Sequence, residues 1–214
     1  MRRILELKNI YLKIRKDIEK KRVEFRKNFN SNKKIFSELI FCILTPQSKA
    51  EVCDRALKNL MKKDLLFHAN TKELLKELKE IRFRNKKTKY ILEAKKFFTK
   101  NGKLVIKKIL KEFKDAKDVR EFLVKNIRGI GYKEASHFLR NIAFEGYKNL
   151  AILDRHVLRS LKKLKIIDSI PKSLSKNKYL EIEEKMKNLA KKLNTDLFSL
   201  DFVLWYKASG RIFK

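Results

Sequence analysis

Residues 124–156 read VKNIRGIGYKEASHFLRNIAFEGYKNLAILDRH. The pattern predicts two helices joined by the tight turn Arg128-Gly129-Ile130-Gly131, a helix-hairpin-helix. Glycine at 129 and 131 lets the backbone approach a partner closely and adopt positive φ. Amides at the start of the second helix then point outward, where a DNA phosphate can dock on the helix N-terminus without regard to sequence. An ordinary helical hairpin with a glycine turn has the same signature, so other residues must decide.

Lys133 falls in the first turn of the second helix, where the positive end of the helix dipole favours the neutral form of an amine. A neutral amine can attack carbon and form a Schiff base. Asp154 lies 21 residues further on, after a short apolar link and at a predicted helix start. A carboxylate there can stabilise a developing sugar oxocarbenium ion and help deprotonate the lysine, or it can simply cap the helix. The pairing says more than either residue alone.

Outward from this stretch, apolar residues recur at three and four spacings over 4–25, 35–44, 74–81, 90–98 and 180–193, each an amphipathic helix. Asp118 and Glu121 resemble a capping box for a helix running to about Asn126, and the second hairpin helix is expected to run from Tyr132 to near Gly146. Pro171 and the polar run after it read as a loop before two final helices. Five Gly and two Pro in 214 residues leave too little turn chemistry for a hairpin-rich sheet protein. The fold class is therefore all-α.

Fifty-six Lys plus Arg stand against 25 Asp plus Glu, a formal charge of +31 that calls for a polyanionic partner. Lys-rich thermophile surfaces usually carry matching Glu, and this chain does not. Cys42 and Cys53 suit neither a disulfide framework nor a zinc site and read as reduced core thiols. No segment approaches a membrane span and the N-terminus is charged throughout, so a cytoplasmic protein is expected. No Walker-type loop, GxSxG or HExxH occurs, and His137 and His156 lack metal-ligand spacing. No metal or cofactor is expected.

The run GIGYKEASHFLR followed by AILDRH resembles the helix-hairpin-helix and aspartate motif of the DNA glycosylase superfamily. With FCILTPQSKA, IRFRNKKTKYILEAKKF and the terminal LDFVLWYKASGRIFK, the chain more closely resembles the archaeal type 2 Ogg enzymes, 8-oxoguanine DNA glycosylase/AP lyases. The likeness runs from about Ile35 to Lys214, though the hairpin lacks the family's Pro. It implies that Lys133 is the Schiff-base lysine and Asp154 the catalytic aspartate. The iron-sulfur branch of the superfamily needs four clustered cysteines, which this chain does not have.

The resemblance also assigns Phe83 and Trp205 to sandwich a flipped base, a sequence-tolerant contact. From residue type alone either could be core. Asp201, one helical turn before Trp205, would accept hydrogen bonds from the N1 and N2 edge of a guanine-type base, or cap a helix. Gln47 would fill the gap left in the duplex. Arg82, Arg84, Lys86 and Lys87 would contact phosphates if they face the DNA, as would the Gly129 and Gly131 turn. Gly210 lets the chain turn so that 211–214 fold back toward the cleft, where Lys214 would help to tell 8-oxoguanine from guanine.

The implied architecture has two lobes: residues 31–149 with the hairpin, and 150–214 completed by an N-terminal helix within 1–30. The implied partner is double-stranded DNA containing oxidised guanine, bound by a monomer. Base flipping, displacement at C1′ by Lys133 and β-elimination through the imine would cut the strand. A hairpin lyase for another lesion, or a binding module without catalysis, would share the hairpin, and the second would need neither Lys133 nor Asp154.

Overall fold

Eight of the ten residues 35–44 in the helix of residues 32–44 are apolar, and all ten are buried. Beyond its exposed first turn this helix has no solvent face and must lie at a centre. In the computed structural model, which describes residues 2–212, it is the second of twelve α-helices. They are α1 (Arg2–Asn28), α2 (Asn32–Leu44), α3 (Ala50–Lys62), α4 (Leu65–His68), α5 (Thr71–Glu77) and α6 (Arg84–Phe98), followed by α7 (Ile106–Leu110), α8 (Ala116–Asn126), α9 (Tyr132–Asn141), α10 (Arg155–Lys163), α11 (Lys176–Lys192) and α12 (Leu197–Ser209). A two-residue antiparallel pair, Thr99–Lys100 with Lys103–Leu104, turns the chain between α6 and α7. The fold is the expected all-α one.

Two hydrophobic clusters form. One is built from residues 35–150 around α2, which packs on α3, α6, α7 and α9. The other joins residues 147–204 to the first helix. Leu7, Ile14, Ile18 and Phe25 recur at sevens and fours, so they share one face of α1, and that face packs along α12. Phe25 meets Phe198 edge-on at 6.2 Å.

A buried ion pair ties α8 to α11. The Arg120 guanidinium meets the Glu183 carboxylate with two hydrogen bonds, 2.7 and 3.0 Å long. Glu183 also accepts from the Ala151 amide at 2.7 Å, and the Tyr179 hydroxyl donates to the Ala151 carbonyl at 2.6 Å. These bonds fix the extended link that leads into Asp154.

Several expectations need correction. The helix before the hairpin starts at Ala116, not after Asp118, because Asp115 accepts from the Lys117 amide at 2.6 Å and takes the cap. α9 stops at Asn141 rather than near Gly146, since Ala143 turns into positive φ (46°) and a single 3₁₀ turn, Tyr147–Asn149, follows. The helix expected over 74–81 is shorter. It starts at Thr71 behind a capping box of Asn70 and Glu73, and it ends at Glu77. Cys42 and Cys53 are buried free thiols, as expected. Burial pushes both up, Cys53 to about 11. Among the described residues no helix is long and apolar enough to cross a membrane.

Candidate active site

The hairpin turn is shaped by one glycine more than by two. Gly129 has φ +83°, and a Cβ there would stand 2.5 Å from Cδ2 of Tyr90, so both conformation and space exclude a side chain. Gly131 is extended, with φ −99° and ψ −174°, a backbone any residue adopts. The expected positive φ therefore holds at 129 only. Gly131 stands immediately before α9 and its amide donates to Oε2 of Glu134 at 3.3 Å. The other oxygen, Oε1, is 2.7 Å from Nζ of Lys133. One carboxylate thus links the turn to the amine.

Asp154 is the N-cap of α10. Its Oδ1 accepts from the Val157 amide at 2.7 Å and its Oδ2 from Nε1 of Trp205 at 3.0 Å. Capping and site are not alternatives here, because the cap is what holds the carboxylate still. Trp205 comes from α12, and His156 packs against it at 5.6 Å between ring centroids.

Gln47, Lys133, Glu134, Asp154, Asp201 and Trp205 all line a single cleft of about 920 Å³. Asp201 is not a helix cap, a part that Asp196 plays for α12. It is buried and paired with Arg140, and its Oδ1 has no hydrogen-bond partner. Burial pushes its carboxyl up to about 7, opposed by Arg140 and reinforced by Asp154.

Gln47 sits in the turn between α2 and α3 with φ +55°. What holds that turn is a correction to the expected phosphate contacts. Lys87 is only 4% exposed, and its ammonium donates inward to the carbonyls of Leu44 and Pro46, both at 2.7 Å, and to Oγ of Ser48 at 3.0 Å. A side chain so engaged cannot reach DNA. Burial lowers its ammonium to about 8, with the charges of Lys133 and Arg82 acting in the same direction. Arg82, Arg84 and Lys86 are exposed as expected, and the Arg82 amide donates to Ser48 Oγ at 3.2 Å.

Phe83, expected opposite Trp205, lies on the exposed basic segment. It stands just before α6 at φ +59°, 48% exposed, beside a shallow depression formed with Lys79, Ile81, Arg84, Asn85 and Lys86. None of these is among the residues that line the cleft with Trp205. The Arg82 guanidinium covers the Phe83 ring at 4.9 Å.

Gly210 ends α12 at φ +73°, and Arg211 turns back to line the cleft and pair with Glu51 of α3. Lys214 lies outside the described residues. Sequence reasoning missed Glu134 and Tyr90. Glu134 had a signal, since Glu three residues after a glycine N-cap is a helix-start pattern. Tyr90 had none, because its contact with Gly129 is long-range.

A glycine hairpin that offers a lysine in the first turn of its second helix, in one cleft with the aspartate that caps a later helix, defines the helix-hairpin-helix DNA glycosylase class. Residues 18–195 match the model of the Ogg helix-hairpin-helix family, described as 8-oxoguanine DNA glycosylase. The chain belongs to that family. It is 43% identical over 211 residues to an 8-oxoguanine DNA glycosylase/AP lyase of Fusobacterium nucleatum, covering 98% of this chain and 96% of the relative. It is 44% identical to the one from Methanocaldococcus jannaschii, over 100% of this chain and 99% of that one. The crystal structure of the Methanocaldococcus jannaschii glycosylase/lyase in complex with a 15mer DNA containing 8-oxoguanine superposes with a TM-score of 0.90 at 41% identity, each chain covered in full. The 8-oxoguanine DNA glycosylase of Thermotoga maritima gives 0.87 at 36% identity, over 99% of this chain and 98% of that one.

Proposed function

We propose that this chain is a bifunctional DNA glycosylase/AP lyase that excises 8-oxoguanine from double-stranded DNA and cuts the strand by β-elimination. The observation that carries the reading is the presence in one cleft of Asp154 and of Lys133, which stands in the first turn of the second hairpin helix. The Lys133 amine displaces the base at C1′, and the Asp154 carboxylate, held by two N–H donors, stabilises positive charge on the sugar as the base leaves. The resulting imine loses the proton at C2′, and the 3′ phosphate departs.

Around this centre, Trp205 and Asp201 form the wall and floor that meet an extruded base, and Gln47 on its braced turn enters the duplex. Arg82, Arg84 and Lys86 with the Gly129–Gly131 turn hold phosphates, consistent with the +31 charge. Phe83, half exposed on the same basic segment, stacks on the extruded base opposite Trp205. Lys214 reads the lesion. The two hydrophobic clusters support a division into lobes 31–149 and 150–214, with 1–30 joined to the second. A single chain acts, and a cytoplasmic location suits its buried, unlinked thiols.

Borohydride trapping on a duplex with one 8-oxoguanine tests the whole reading, since a covalent adduct requires both the imine and the lesion. A duplex bound tightly and never trapped would reduce the chain to a binding module.

A further inference from the structure

The amine that attacks C1′ must first give up a proton, and the side chain in contact with it is Glu134. Its Oε1 stands 2.7 Å from Lys133 Nζ, its carboxylate lines the cleft, and its side chain is only 13% exposed. Asp154, by contrast, has an N–H donor on each of its oxygens. We infer that Glu134 is the proton acceptor for Lys133, and that Asp154 acts as a fixed negative charge for the sugar. This rests on the glycosylase/lyase reading above.

The step balances. An Nζ–H bond breaks and an Oε1–H bond forms, leaving a neutral amine beside a neutral carboxyl. The freed lone pair makes the Nζ–C1′ bond while the bond from C1′ to the base breaks, its electrons leaving with the base. The Gly131 amide on Oε2 keeps Oε1 turned toward the amine throughout. The geometry makes Glu134 serve twice, as the brace of the hairpin turn and as the base.

Glu134→Gln separates those two parts, because an amide oxygen still accepts from the Gly131 N–H while its other end cannot take a proton. Single-turnover excision of 8-oxoguanine by Glu134→Gln is expected to fall by about 10²-fold at pH 7, the usual scale of a general base. The deficit should shrink toward pH 10, where hydroxide removes the proton instead. Titratable or charged groups around the pair and its cleft include Glu38, Cys42, Glu51, Cys53, Lys87, His137, Arg140, Asp154, His156 and Asp201. Glu134 itself acts on Cys42 and Lys87, so their titration shifts in the variant, and only recovery that follows hydroxide concentration, about tenfold per pH unit, is credited to the lost base. A ratio near one at pH 7, or a deficit that stays constant with pH, would overturn the assignment. If Glu134→Gln does not fold, as judged by binding of undamaged duplex, Glu134→Ala with added formate decides: excision must rise with formate concentration, and a flat response overturns it. Absence of trapping by the unsubstituted chain would instead sink the functional reading beneath.

Discussion

The indole N–H of Trp205 donates to Oδ2 of Asp154 at 3.0 Å, from a helix 51 residues further along the chain. The aromatic wall of the cleft is therefore also a support of its carboxylate. Trp205→Phe keeps an apolar ring but removes the donor. Excision of 8-oxoguanine should slow by about tenfold, the worth of one hydrogen bond to a charged group. Single-turnover rates check this, and equal rates would leave Trp205 as a wall alone.

Lys133→Gln should abolish both excision and borohydride trapping and leave duplex binding nearly intact. In the proposed reaction the amine is the nucleophile, yet it is one of 56 cationic side chains. Trapping that persists in the variant would move the nucleophile elsewhere.

Asp154→Asn preserves the α10 cap, because Asn is as good an N-cap as Asp. Unfolding should shift by less than about 1 kcal/mol, while excision falls by about 10², the scale of losing one preorganised charge. Comparing thermal melts with single-turnover rates separates the two parts the carboxylate plays.

Lys87 should act on stability rather than on phosphates. Arg84→Ala and Lys86→Ala are each expected to weaken duplex binding and lower its log-log salt slope by about one. Lys87→Met should leave that slope unchanged. The pH dependence has a definite sign. Burial lowers the folded-state ammonium to about 8 from its ordinary 10.5, so between those values the unfolded chain holds a proton that the folded one has lost. Stability then rises with pH across that window, and the cost of the buried charge is fully present below it. Wild-type unfolding free energy relative to Lys87→Met should climb by roughly 1–3 kcal/mol between pH 8 and 10 in denaturant titrations.

Breaking the Arg120–Glu183 pair should be severe. Arg120→Met leaves the Glu183 carboxylate buried without its partner, a loss of about 3–5 kcal/mol. Because Glu183 also holds the Ala151 amide, the surviving folded protein should excise more slowly than its folded fraction explains. Excision that simply tracks the folded fraction would show that the link into Asp154 is held by other contacts.

Helices whose apolar stripe is long were legible in the sequence, among them α1, α2, α6 and α11. The hairpin and the Lys133–Asp154 pairing were legible too, because glycine scarcity made the turn conspicuous. α3 went unread in the sequence, although Cys53, Ala56, Leu57 and Leu60 stand at spacings of three and four. What sequence could not give was direction. Lys87 and Lys86 are neighbours of identical chemistry, and only the packing of α6 on α2 turns one inward to the carbonyls of 44 and 46 and the other to solvent. Phe83 was hidden in the same way, since its positive φ and outward ring depend on how the chain enters α6. The contact of Tyr90 with Gly129 spans two elements, and no local pattern encodes it.

The apolar face of α1 packs against residues that come last, above all those of α12. On a ribosome adding ~5–20 residues per second, that face waits roughly ten seconds or longer for its partner. Meanwhile the material for the central cluster, residues 35–150, has already emerged. A nascent chain thus owns the amine-bearing hairpin before it owns Asp154 or Trp205. For that interval it is a cationic particle that holds the hairpin and Glu134 but lacks Asp154 and Trp205, and the apolar face of its first helix has no partner. The cleft is complete only once the last helix has closed on the first.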